Sequence, residues 1–150
     1  TSIIMKTALS ILAVFLVIAY VNGAAAPNNV KDKVGALAKK CAADNKANQE
    51  QAKIAFTQKL PTDEVERCYL ECVYTGVGVI QGGEYSVEGS KKLATQRFSD
   101  AKEHETVNKL IDTCSKEVTK VKDEKCSLGR TVRECFVKHG EKVHFFPSAN

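Results

Sequence analysis

From Val30 onward the apolar residues recur at helical spacing. Val30, Val34, Leu37, Ala38 and Cys41 fall at i, i+4, i+7, i+8 and i+11, one stripe of a first helix, with Asn29 placed to cap it and Asp32 three residues on. Asn48 opens a second helix through Ala52, Ile54, Ala55 and Phe56, expected to stop near Leu60 because Pro61 disfavours helical geometry in its predecessor. Thr62 or Asp63 starts a third, whose Val65, Cys68, Tyr69, Cys72 and Val73 form the cleanest stripe in the chain. Gly76, Gly78, Gly82 and Gly83 then break the pattern, and Gly76 to Tyr85 reads as an extended loop with turns. Ser86 to Phe98 resumes as a fourth helix, weakened by Gly89, with Val87, Leu93, Ala94 and Phe98 inward. Asp100 with Glu103 makes a capping box for a fifth, carrying Val107, Leu110, Ile111, Cys114 and Val118 on one face. Ser127 caps a sixth, with Leu128, Val132, Cys135 and Phe136 inward, closed by Gly140 after Lys138 and His139. The expectation is an all-α domain of six helices and no strand.

The segment before Val30 has a different character. Met5 is followed by Lys6 and by a 14-residue apolar run, Ala8 to Val21, that ends in Asn22, Gly23 and the small residues Ala24 to Ala26. This is the layout of a secretory signal peptide, with a run shorter than the roughly 20 residues that span a bilayer. Thr1 to Ile4, upstream of Met5, read as leader sequence. Cleavage is expected after Gly23, giving a leader and signal over residues 1–23 and a helical domain over 24–150. A secreted, extracellular protein follows.

Composition sharpens this in two places. The whole chain carries a net charge of +4, and loss of Lys6 leaves 21 basic against 18 acidic residues; read as evenly spread, that balance points to no nucleic-acid partner. The six cysteines, Cys41, Cys68, Cys72, Cys114, Cys126 and Cys135, all follow the signal and form an even set, as expected of a disulfide framework in an oxidising compartment. Cys68 and Cys72 lie one helical turn apart, so each needs a partner elsewhere. A domain of this size buries roughly two-thirds of its unfolded surface, and each bridge adds on the order of 3 to 4 kcal/mol.

No catalytic constellation is evident. The cysteines are committed to crosslinks, and His104, His139 and His144 are not spaced against carboxylates as a metal site or triad requires. Gly76-x-Gly78 lacks the third glycine of a dinucleotide fingerprint and follows no strand. No catalytic residue, metal or cofactor is therefore expected, and the protein is read as a non-enzyme.

The spacing Cys-x26-Cys-x3-Cys-x41-Cys-x11-Cys-x8-Cys after a signal peptide resembles the six-cysteine insect odorant-binding proteins of the pheromone and general odorant-binding class. That resemblance spans the mature domain. It implies six helices around an apolar pocket and the pairs Cys41–Cys72, Cys68–Cys126 and Cys114–Cys135; the sequence alone leaves the pairing open once Cys68–Cys72 is set aside. It also implies a carrier that takes odorants or pheromones through aqueous lymph, with a small hydrophobic ligand and a membrane odorant receptor as partners, acting as a monomer or weak homodimer. Two other readings remain open at this point: a scavenger of amines, toxins or lipids in saliva, haemolymph or reproductive fluid, and a structural or immune-interaction protein with a filled core.

Covalently pinned helices need not fill their centre, so a persistent hollow is expected, for which an apolar ligand would be the missing core. Its expected lining is Phe56, Leu60, Tyr69, Val73, Tyr74, Val77, Ile80, Leu93, Phe98, Leu110, Ile111, Val132, Phe136, Val143, Phe145 and Phe146. Tyr69, Tyr74 and Tyr85 offer hydroxyls for a polar ligand end. The apolar tail, Val143, Phe145 and Phe146, is expected to pack on helix six or close the pocket mouth. Because His139 and His144 flank it, acid is expected to loosen it.

Overall fold

The computed structural model describes residues 30–141 and 143. Asn29, the signal segment, His144, Phe145 and Phe146 lie outside the described residues. Within them the periodic segments form six helices: α1 (Val30–Asp44), α2 (Gln49–Ala52), α3 (Glu64–Gly76), α4 (Val87–Arg97), α5 (Ala101–Glu117) and α6 (Ser127–His139). A 3₁₀ turn, Lys53–Phe56, extends α2.

Local chemistry fixes most starts. Asn48 and Gln51 form a full capping box at α2, and Asp63, Ser86 and Asp100 cap α3, α4 and α5 by accepting from the backbone N–H groups of Glu66, Gly89, and Lys102 with Glu103. Each such cap is worth about 1 kcal/mol. Helix α2 stops short of the expected Leu60. The 3₁₀ turn ends at Phe56, Thr57 is extended, and the carbonyls of Ile54 and Thr57 are taken by the guanidinium of Arg133 from α6. Leu60 is left 47% exposed.

Two further expectations need correction. Ser127 is not the cap of α6: that place belongs to Cys126, left-handed at φ 56°, while Ser127 begins the helix and its buried hydroxyl accepts from the Val121 N–H at 3.0 Å. The disulfide at Cys126 and this bond together set the entry to α6. The loop before α4 also contains strands: Ile80–Gln81 (β1) pairs antiparallel with Glu84–Tyr85 (β2), turning at Gly82 and Gly83, both at positive φ. Runs of two residues are too short to show a period of two.

Three bridges tie the helices: Cys41 in α1 to Cys72 in α3, Cys68 in α3 to Cys126 ahead of α6, and Cys114 in α5 to Cys135 in α6. Helices α2 and α4 carry no cysteine. The most extensive packing is between α3 and α6, followed by α4 on α5. Tyr69, Leu70, Val107, Ile111, Cys114 and Val132 are fully buried at the centre, and the Tyr85 ring meets Phe136 edge-on at 6.1 Å.

Gly89 is a packing residue rather than a weak point. A Cβ there would sit 1.8 Å from the Gly78 carbonyl oxygen, a backbone atom that cannot swing aside. Gly89→Ala is therefore expected to destabilise the fold by about 1 to 3 kcal/mol, well beyond the gain in helix propensity. Chemical denaturation measures this; unchanged or raised stability would show that α4 does not need the close approach.

Candidate functional site

The interior space follows from where four elements turn their apolar stripes. Helix α1 contributes Val30 and Val34, the 3₁₀ turn Ala55, α3 Leu70, Val73 and Tyr74 with Val77 just past its end, α4 Leu93 and Arg97, and α6 Arg133. Of the expected lining residues, Val73, Tyr74, Val77 and Leu93 meet here. The space they leave is about 20 Å³, room for about one water molecule. Side chains of α1 and α4 close on this space.

The basic groups of this site were not foreseen. Arg133 is 0% exposed, its guanidinium donates to the carbonyls of Ile54 (2.9 Å) and Thr57, and it lies 5.9 Å from the Tyr74 ring centroid. Those carbonyls are the C-terminal end of the 3₁₀ turn, where a cation is favoured. Arg97 is half-buried, with its guanidinium 5.3 Å from the Phe98 ring centroid, and burial pushes its pKa down. The only sequence signal for Arg133 is its place beside Val132 on α6, one step from the apolar stripe.

The tyrosine hydroxyls are largely committed elsewhere. Tyr69 donates to the Ala52 carbonyl at 2.9 Å and Tyr85 to that of Ile111 at 3.4 Å. Burial raises both phenols to about 12. Tyr74, also raised by burial, faces the interior beside Arg133.

Phe56 and Tyr69 belong to a second space. Between α1 and the α2 segment, Gly35, Ala38, Lys39, Ala42, Gln49, Ala52 and Lys53 join them around an apolar-floored groove of about 330 Å³. Its lysines reflect a charge distribution that is not even: residues 30–60 hold seven lysines against three acidic residues. A third depression of about 350 Å³, beside β2 and the end of α5, is half polar. Ile80, Leu110, Ile111, Val132, Phe136 and Val143 are buried core positions that line neither apolar space, and Phe98 is half-buried beneath Arg97.

Comparison with known proteins now decides the family. The PBP/GOBP family profile matches residues 23–139. The chain belongs to the PBP/GOBP family. Among solved structures, the odorant-binding protein dmelOBP28a of Drosophila melanogaster matches with a TM-score of 0.66 at 18% identity, over 78% of this chain and 97% of that one, a likeness of fold. No curated protein sequence matches significantly. At family level the protein is a PBP/GOBP-type carrier of small hydrophobic ligands, and among the described residues no helix is long and apolar enough to cross a membrane.

In this PBP/GOBP fold α5 and α6 meet at their C-terminal ends through Glu117, which takes His139 Nε2 at 2.9 Å and Lys138 Nζ at 3.4 Å. Cys135 Sγ is nearby, but it is bonded to Cys114 and cannot act as a thiolate ligand, so the three groups make no metal site. The His139 bond, then burial against it and the nearby charges, leave the Glu117 carboxyl below its ordinary 4.5.

Two outcomes follow. Arg133→Met, which keeps the stem but removes the guanidinium's bonds to the carbonyls of Ile54 and Thr57, is expected to cost about 1 to 3 kcal/mol in thermal or chemical unfolding. Retained stability would mean the guanidinium is dispensable. Because the Glu117 pKa is depressed, its contribution is present above its ordinary value and lost only as pH falls through the lower folded one. The stability gap between the protein and Glu117→Gln should accordingly persist at pH 5 and close below 4.5; its disappearance by pH 5 would restore the acid-loosening expectation.

Proposed function

We propose that the protein is secreted after cleavage near Gly23, and that its domain over 24–150 carries small hydrophobic odorants or pheromones through aqueous lymph to membrane receptors. The guest is held in the space between α1, α3, α4 and α6. The observation that carries this reading is the enclosure of that space: apolar side chains surround it from four elements, and its two closing walls are the least anchored. Helix α4 has no bridge. Helix α1 is bridged only at Cys41, eleven residues and roughly 16 Å from Val30. Displacing Val30, Val34 and Leu93 outward opens the centre without breaking a covalent tie, and the guest then supplies the packing those side chains give up.

Volume favours a second reading, in which the guest lies in the groove over Ala42 and Phe56, since about 330 Å³ already falls in the usual range for small-molecule pockets, roughly 300 to 1,000 Å³. A groove covers one face of an apolar guest, whereas a carrier in water must cover most of it. The enclosed site is therefore preferred.

Displacement of a fluorescent apolar probe by long-chain alcohols and esters tests the reading. Leu93→Phe, which fills the interior, is expected to weaken displacement by about tenfold or more, while Ala42→Leu leaves it unchanged. The reverse pattern would move the site to the groove. No displacement by any such ligand would favour a bundle with a filled core.

A further inference from the structure

We propose that the connection between α5 and α6 is a cleavage site for trypsin-like endopeptidases, and that the cut protein persists as a folded pair of disulfide-linked chains. The connection runs from Val118 to Cys126. It contains Lys120, Lys122 and Lys125, all exposed, and Val121 between the first two is 41% exposed. Exposed segments outside helices are where endopeptidases cut, because the cleft must take several residues in extended form. Lys125 is unsuited: its carbonyl accepts from Arg67 Nε at 3.3 Å, its Nζ pairs with Glu64 at 2.8 Å, and the bridged Cys126 follows. That leaves Lys120 and Lys122. The backbone beside them is fastened by the Val121 N–H, which donates to Ser127 Oγ at 3.0 Å, and by a long 3.4 Å bond from the Glu124 N–H to the Val121 carbonyl. Releasing these frees the segment, whereas a lysine inside a helix is reached only by unwinding a turn.

The other connections offer less. Residues 77–86 and 98–100 contain no lysine or arginine. Lys46 lies in a turn closed by backbone bonds from Asn45, Lys46 and Ala47 to the end of α1. Lys59 is exposed, but its N–H is bonded to Thr57 Oγ1, and Pro61, two residues on, is buried and anchors the side of the bond a protease must draw in.

The bridges decide what survives the cut. A break after Lys120 or Lys122 leaves Cys41, Cys68, Cys72 and Cys114 on one chain and Cys126 and Cys135 on the other. Cys68–Cys126 and Cys114–Cys135 both cross that break, whereas each other connection between the six helices is crossed by one bridge. Glu117 with His139 at 2.9 Å and Glu124 with Arg67 at 3.3 Å add noncovalent ties across it. Hydrolysis consumes one water: the C–N bond breaks, the carbonyl carbon takes the oxygen as a carboxylate, and the released nitrogen becomes an ammonium. Helix α6, with its Arg133 wall of the interior space, stays in place. In the intact chain α6 remains attached even without bridges; in the cut protein the bridges are its only covalent hold.

Brief digestion of the protein with trypsin, followed by mass spectrometry, tests this. The first cut between Cys41 and Cys135 is expected to add the mass of one water and to leave the helical circular dichroism signal unchanged. Dithiothreitol, itself oxidised, returns the bridges to thiols and should split that product into two pieces, the first ending at Lys120 or Lys122. A variant carrying both Lys120→Gln and Lys122→Gln should lose this product and keep the fold. A first cut at Lys59 or inside a helix, resistance of the whole span to trypsin, or collapse of the helical signal on cutting would overturn the proposal. None of these readouts involves a guest, so the carrier reading stands or falls separately.

Discussion

Helix α3 is the covalent hub on which the rest of the fold depends. Cys68 and Cys72, one turn apart, hold the segment ahead of α6 and helix α1 respectively, and Cys114–Cys135 continues the link from α6 to α5. Four helices are thereby joined in the order α1, α3, α6, α5. Each closure restricts the unfolded chain by about 3 to 4 kcal/mol, comparable with a large share of a small domain's net stability. What the bridges leave out matters as much. Helix α4 is held by packing on α5, by the close approach at Gly89 and by the exposed Lys91–Asp112 pair, which contributes little. The N-terminal half of α1 extends beyond its one bridge. A rigid hub with two loosely tied walls is the arrangement that lets a carrier open and remain folded.

The same hub explains how a charge comes to rest at the centre. The short α2 segment does not continue to Leu60, and the carbonyls of Ile54 and Thr57 at its end face helix α6. Arg133 supplies the donors from α6, and its guanidinium lies over the Tyr74 ring. A residue type almost never fully buried is thus required by the termination of a neighbouring helix.

Much of this was legible in the residues. The 3.6-residue period places the apolar faces of all six helices, and Asn48, Asp63, Ser86 and Asp100 mark starts because their side chains satisfy orphan N–H groups. Family membership was legible in the cysteine spacing, while the pairing itself came from resemblance, since spacing along a chain does not fix distance between helices. Legibility fails where tertiary contacts override local signals. Ser127 has the chemistry of a cap but is recruited by Val121, Gly89 reads as a helix weakness but serves a contact with Gly78, and the β1–β2 pair is too short to show a period. The lining was divided for a related reason. A helical stripe says that Tyr74 and Phe136 are buried, and only the packing decides that Tyr74 faces the interior space while Phe136 meets Tyr85.

The central claim is that a guest occupies the interior by moving α1 and α4 away from α3 and α6. The most direct measurement is a crystal structure of the protein soaked with a bromine-tagged long-chain ligand, located by its anomalous signal. The account predicts a bromine peak enclosed by Val34, Tyr74 and Leu93, with the first turns of α1 displaced outward. A peak in the groove over Ala42 and Phe56, or an interior unchanged under saturating ligand, would contradict it.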